Sequence, residues 1–412
     1  MQTHFTIAQR TKPEVAEAEA EIRKCVHCGF CMATCPTYQL LGDERDGPRG
    51  RIYMIKDMLE NERAPTEAVV THIDRCLSCL ACVTTCPSDV DYRRLVDTAR
   101  AYIEANYKRP WFERLLRSVL GAVLPHPGRM KMALGLAGLT GWAAPVMPAQ
   151  VQAMFALAAK RGAPVVKAAP VAGSKGRIAM LGGCAEPVMR PSVQAAAERL
   201  LGRAGYEIVR APGEGCCGAL SHHLGQDALG FVRTNVDAWT REIEGKGLAA
   251  IVVTASGCGS VVKDYGHMLA HDPAYAEKAA RVAALAKDIS EVLEMADLPQ
   301  LPPRGETIAY QSACSLQHGQ QIKDLPATLL ARAGYDVVTP AGAHLCCGSA
   351  GTYNVLQPKI AGDLRARKIA ALKATGAATV ASGNIGCITH LAGEAGLELM
   401  HTVELLERAY SA

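Results

Sequence analysis

Residues 25–36 read CVHCGFCMATCP: four cysteines at intervals of three, three and four, closed by a proline. With 16 cysteines in 412 residues, the chain is too long and too cysteine-poor for a disulfide-stapled mini-domain. The opening stretch MQTHFTIAQRTKPEVAEAEAEIRK lacks the apolar segment of a secretory signal. A reducing, cytoplasmic setting is therefore expected, in which clustered thiols bind metal. Soft thiolates at this spacing suit zinc or iron–sulfur groups.

Zinc sites usually draw on two separated C-x2-C knuckles. Here the pattern is C-x2-C-x2-C-x3-C-P, the run of bacterial ferredoxins. Residues 76–87, CLSCLACVTTCP, repeat it with the same spacing and the same final proline. In two-cluster ferredoxins the fourth cysteine of a run ligates the other cluster. Cys25, Cys28, Cys31 and Cys86 are thus assigned to one [4Fe–4S] cluster, and Cys76, Cys79, Cys82 and Cys35 to a second. Pro36 and Pro87 fix φ and lack an N–H, so the chain turns away after each crossing ligand. The intervening DGPRGRIYMIKDMLE reads as a loop and a helix. Two clusters on a small domain form an electron relay; zinc, or clusters serving only as structural staples, are the alternatives.

Length sets a prior of two or three domains. Hydrophobic residues make up 49% and charged residues 20%, enough for a sizeable core. A net charge of +4 and 5% aromatics do not describe a nucleic-acid surface, and none is expected as a partner. The chain divides into residues 1–105 with the ferredoxin runs, a basic, apolar, Gly- and Pro-rich segment 106–176, and two related units, 177–300 and 301–412.

Those two units repeat at a period near 130 residues. GRIAMLGGCAEP (176–187) aligns with ETIAYQSACSLQ (306–317), RLLGRAGYEIVRAPGEGCCG (199–218) with LLARAGYDVVTPAGAHLCCG (329–348), and AAIVVTASGCGS (249–260) with AATVASGNIGCIT (377–389). Each unit alternates short β-branched runs with helical stretches, giving three strands and a parallel α/β layer. The overall class is a helical two-cluster ferredoxin domain followed by two α/β units. Every cysteine follows a strand, and loops at the C-terminal ends of parallel strands share one sheet edge. Cys184, Cys216, Cys217 and Cys258 should therefore converge, as should Cys314, Cys346, Cys347 and Cys387. Eight cysteines in matched loops favour metal over simple buried small residues.

The spacing C-x31-C-C-G with a distant further cysteine resembles the CCG domain of the heterodisulfide reductases. That family ends in C-x2-C and can hold a non-cubane [4Fe–4S] cluster. Here Ala255 and Asn384 stand where its additional cysteine would be, leaving four thiols per unit. A further iron–sulfur cluster, zinc or a metal-free redox pair are all open at these sites. Taken whole, the double ferredoxin run, GPRGRI, the basic stretch with LPHPGR and the two CCG units resemble the iron–sulfur subunit of glycolate oxidase (glycolate dehydrogenase). The anaerobic glycerol-3-phosphate dehydrogenase C subunit and the lactate-utilisation iron–sulfur protein share all or part of this order. The resemblance implies a flavoprotein catalytic subunit, a second FAD-binding subunit and a membrane quinone as acceptor, with glycolate oxidised to glyoxylate elsewhere.

No G-x-G-x-x-G follows a strand and there is no P-loop. With neither a flavin fingerprint nor an acid–base constellation, no catalytic residue is expected on this chain. An autonomous CCG disulfide reductase and a non-redox iron–sulfur scaffold are the competing readings. His222, His223 and His344 flank the CCG motifs as possible ligands or surface groups, and His27 reads as a spacer. The 28 uncharged residues between Lys131 and Lys160 are long enough to cross a membrane, but Pro145, Pro148 and three glycines argue against a span. Upstream, Lys108, Arg109, Arg114, Arg117, Arg129 and Lys131 accompany Trp111, Phe112, Leu115 and Leu116. Such a basic, apolar helix can lie at the inner face of the cytoplasmic membrane, or pack on the ferredoxin domain or the flavoprotein partner.

Overall fold

The computed structural model describes residues 1–158 and 175–411; Lys160 and the rest of 159–174 lie outside the described residues. The N-terminal part is helical. Helices Pro13–Lys24, Pro48–Glu60, Glu67–Asp74 and Tyr92–Asn106 enclose a core of Ile22, Ile55, Ile73, Leu95 and Ile103. In the last of these helices Leu95, Val96, Ala99 and Ile103 recur at helical spacing and are buried. Its start is set by Asp91, whose carboxylate accepts from the Arg93 N–H at 3.0 Å.

The C-terminal part holds two four-stranded parallel sheets. The first contains β1 (Gly176–Met180), β2 (Tyr206–Val209), β3 (Ala250–Val253) and β4 (Ala286–Asp288) in the order β2-β1-β3-β4. The second contains β5 (Thr307–Tyr310), β6 (Asp336–Val338), β7 (Thr379–Ser382) and β8 (Glu398–His401) in the equivalent order β6-β5-β7-β8. The expected parallel α/β repeat is present, with one strand more per unit than the three expected. The added strands, AKD and ELMH, are short, hold two charged or polar residues each and contain no β-branched residue.

The units share a core. Ile178, Val193, Leu200 and Leu201 of the first pack in one cluster with Ile308, Leu330, Val403 and Leu406 of the second. Arg190 and Arg199 pair with Glu404 and Glu407 at its margin. His401, fully buried, adds a polar tie. Its Nδ1 accepts from the Val403 N–H at 3.1 Å, which leaves Nε2–H to donate to the Thr254 carbonyl across the unit boundary at 3.1 Å.

Burial holds the His401 imidazole neutral, down to about 4 from the ordinary 6.5. A histidine with a lowered folded pKa binds fewer protons folded than unfolded between those values. Its contribution is complete above pH 6.5 and is lost as pH falls towards 4, at roughly 1.4 kcal/mol per pH unit. His401→Gln keeps a donor for Thr254 and removes the titration. Thermal unfolding followed from pH 7 to 4.5 should show a shallower pH slope in this variant by about one proton; an unchanged slope refutes the buried-imidazole account.

Candidate iron–sulfur sites and the cavity between the repeats

The two ferredoxin runs fold into matching loops. His27 and Ser78, each just before the second cysteine of its run, have φ of 58° and 49°. Gly29 and Leu80, just after it, have φ of 81° and 61°. Left-handed backbone at three non-glycine positions costs about 1–3 kcal/mol each and persists only where the surroundings enforce it. These turns curl each loop back on itself, and the Ser78 N–H points to the Cys76 Sγ at 3.4 Å. Cys35 is the N-cap of helix Pro36–Leu41, so Pro36 leads the chain directly into a helix.

The runs interlock. Cys86 of the second lies among Cys25, Cys28 and Cys31 of the first: burial, then the charges of Cys25, Cys86 and Cys28, push the Cys31 thiol up to about 11. Cys82 is raised by burial and by Cys79, Cys76 and Cys35, the last from the first run. The groups differ in exposure: Cys28 is exposed, whereas Cys35, Cys76, Cys79 and Cys82 are buried.

The CCG cysteines converge within each unit. Cys184, Cys216, Cys217 and Cys258 form one string of S–H contacts, in which Cys184 and Cys217 hold the Cys216 thiol low. Cys314, Cys346, Cys347 and Cys387 form the equivalent string, with Cys314 and Cys346 sulfurs 3.7 Å apart and Cys347 the low thiol. Four soft, crowded, largely buried sulfurs per group fit a cationic iron–sulfur or metal centre, which relieves the repulsion and desolvation that otherwise oppose ionisation. Ala255 packs with Met130, Met189 and Ile385. Asn384 donates to Ser256 Oγ (3.0 Å) and Ser315 Oγ (3.1 Å), fastening one unit to the other. The second ferredoxin group adjoins the second CCG group: Cys79 packs in one cluster with Cys346 and Cys314, and Cys314 helps to raise its thiol.

Two surrounding residues, Arg51 and Asp46, escaped sequence reading. Arg51 of GPRGRI is fully buried, with Nε donating to the His72 carbonyl (2.8 Å), Nη2 to Thr37 Oγ1 (3.1 Å), and Nη1 3.9 Å from the Cys35 sulfur. Asp46, also fully buried, accepts from His72 (2.8 Å) and Arg75 (2.9 Å) and lies 3.6 Å from Arg51. His222 pairs with Asp97 at 3.1 Å, 125 positions earlier in sequence; His223 is held neutral by burial, down to about 4. His344 offers its carbonyl to His318, and His27 lies against the Tyr53 ring.

Helices Trp111–Val123, Pro127–Thr140 and Ala149–Ala158 cap the CCG sites. Of the two arrangements expected for the basic stretch, Arg109 and Arg117 follow the packed one: they are buried in ion pairs with Asp74 of the ferredoxin part and with Glu113. Leu116 and Leu120 turn inward onto Val355. No helix among the described residues is long and apolar enough to cross a membrane. Beneath the cap lies a cavity of about 400 Å³, touching both CCG groups.

A 4Fe-4S dicluster domain family matches residues 21–90, and a cysteine-rich domain family (CCG) matches residues 178–263 and 308–392. The glycolate oxidase iron-sulfur subunit of Escherichia coli K12 is 44% identical over 414 aligned positions, covering 99% of both chains. This chain belongs to that family. A probable glycolate oxidase iron-sulfur subunit of Bacillus subtilis 168 is 33% identical, covering 90% of this chain and 89% of the relative. A hypothetical protein from Helicobacter pylori, of known crystal structure, shares the fold at a TM-score of 0.58 and 10% identity, over 97% of this chain and 73% of that one. Membership makes this an iron–sulfur oxidoreductase subunit with an electron-transfer role, working beside a catalytic partner.

The Asp46 network generates a stability test. Asp46→Asn leaves buried Arg51 without its counter-charge and should cost about 3–5 kcal/mol. Arg45→Gln, which removes an exposed pair with Asp43, should leave the denaturation midpoint unchanged. Equal midpoints for wild type and Asp46→Asn would show that the network does not hold this part together.

Proposed function

We propose that this chain is the electron-transfer subunit of a flavin-dependent glycolate dehydrogenase complex and passes electrons towards a quinone. The observation that carries the reading is the row of adjoining thiol groups from exposed Cys28 inward to the CCG pair, with Cys79 against Cys314 at the junction. Cys25, Cys28, Cys31 and Cys86 would hold one [4Fe–4S] cluster and Cys76, Cys79, Cys82 and Cys35 the other. Each CCG set, Cys184/Cys216/Cys217/Cys258 and Cys314/Cys346/Cys347/Cys387, would hold a further iron–sulfur cluster or zinc. Such groups, when bound, supply one-electron carriers. The chain's part is to seat them: the left-handed loops aim the sulfurs, and the buried Arg51 places positive charge beside Cys35. The division into 1–105, 106–176, 177–300 and 301–412 belongs to the same reading.

Hydroxy-acid oxidation falls to a flavoprotein catalytic subunit, with a second FAD-binding subunit completing the complex. The cap favours a place at the inner face of the cytoplasmic membrane. Leu139 and Trp142 are 78% and 83% exposed, Trp111 and Leu136 are also exposed, and Arg114, Arg129 and Lys131 stand free of the buried ion pairs. An apolar, basic surface of this kind settles among anionic headgroups at about 1 kcal/mol per basic residue.

Anaerobically prepared protein should carry about eight irons in the ferredoxin-type groups. Cys35→Ser should deplete the iron held by Cys76, Cys79 and Cys82 and spare the group around Cys28; loss of the Cys28 group instead refutes the crossed assignment. In the same metal analysis Cys346→Ser should lower iron or zinc without touching the ferredoxin signals. The membrane placement is read by flotation on anionic liposomes. Wild type should float at low salt, and a variant with Arg114, Arg129 and Lys131 replaced by Gln should float less. Equal flotation, or none by wild type, rejects it.

A further inference from the structure

The cavity beneath the cap has two kinds of wall. One is apolar and belongs to the cap: Leu120, Leu124, Leu134, Ala137, Met154 and Leu157. The other is polar and comes from elements that meet only in the folded chain. Arg93 and Asp97 lie one turn apart on helix Tyr92–Asn106, His222 and His223 on the short helix after the first CCG, and Asn354 beside the second. The sulfurs of both CCG groups lie along the same cavity.

The polar wall is unusual in what it leaves unused. Arg93 Nε, His223 Nδ1, Asp97 Oδ1 and Asn354 Oδ1 are buried and have no hydrogen-bond partner among the described residues, and all four side chains line the cavity. Asn354 as a whole is only 7% exposed. Buried polar atoms are nearly always satisfied, so a cluster of them around one cavity points to a ligand that supplies both acceptors and donors. The apolar wall asks that the same ligand be largely hydrocarbon. The outer face of that wall exposes Met132, Leu136 and Leu139, so one helix lines the cavity and also presents apolar surface outward.

We propose that this cavity is the binding site of a lipid-soluble quinone, with its ring at the Arg93–Asp97–His223 end and its tail under helices Pro127–Thr140 and Ala149–Ala158. The inference rests on the acceptor reading above and gives it a location. Ring carbonyls accept from Arg93 Nε–H and from the His223 imidazole when its Nδ1 carries the proton. A hydroxyl of the reduced ring finds an acceptor in Asp97 Oδ1. Asp97 is held in place by its pair with His222. Gly225, just after the His222–His223 helix, lets that segment close on helix Tyr92–Asn106: a Cβ there would lie 2.5 Å from the Arg100 carbonyl oxygen.

The test uses the full-length, iron-loaded protein and a benzoquinone with a short alkyl tail, followed by equilibrium dialysis. Wild type should bind it saturably, at one molecule per chain. Ala137→Phe, which fills the apolar end, and His223→Leu, which removes the polar partner, should each weaken binding at least tenfold with iron content unchanged. Glycolate-driven reduction of a water-soluble dye by the assembled wild-type complex reports electron transfer separately from quinone binding. Absent saturable binding by wild type, or wild-type affinity in both variants, overturns the quinone site. Dye reduction that continues in that case leaves the electron-transfer reading standing. Absent dye reduction by the wild-type complex is the separate failure of that reading.

Discussion

Thiols crowded in a dry interior oppose their own ionisation, and that opposition is the constraint around which this molecule is built. Cys31 shows it most simply: burial and three neighbouring sulfurs raise its thiol together. A cationic centre reverses the balance, because the same proximity that makes four thiolates repel makes four ligands converge. Everything nearby serves that convergence. Parallel strands deliver the CCG cysteines to one sheet edge, left-handed loops aim the ferredoxin cysteines, and Arg51 places a fixed positive charge beside the Cys35 sulfur.

What could be read from the sequence was what repeats. Two cysteine runs of identical spacing and two units at one period gave the helical and α/β parts and named the eight CCG thiols that meet in the fold. Patterns that depend on a distant partner stayed hidden. The basic stretch around residue 110 looks like an exposed charged face because its periodicity is local. Asp74, 35 positions upstream of Arg109, turns Arg109 and Arg117 inward. The His222–Asp97 pair and the unused polar atoms beside it join residues more than a hundred positions apart. Strands β4 and β8 carry too few apolar side chains to announce themselves, yet each is held by pairing along its whole length.

The cap follows from composition once its partners are known. Apolar residues on opposite sides of a helix give it two seams to satisfy, one inside and one outside. Leu116 and Leu120 settle against Val355, whereas Trp111 and Leu115 on the same helix remain outside. A segment that reads as a linker thus becomes a roof over the CCG sites, joined to the ferredoxin part through Asp74.

The gradient of exposure along the sulfurs has a chemical consequence of its own. Oxidants attack thiolate sulfur in proportion to its accessibility. Cys28 is open to solvent, Cys25 and Cys31 are half-covered, and Cys35, Cys76, Cys79 and Cys82 are sealed. Air would therefore strip this protein in order from its outer end. The damage would begin at the outer group and leave the inner sulfurs intact behind it, so an aged preparation would show its losses first at Cys28, Cys25 and Cys31.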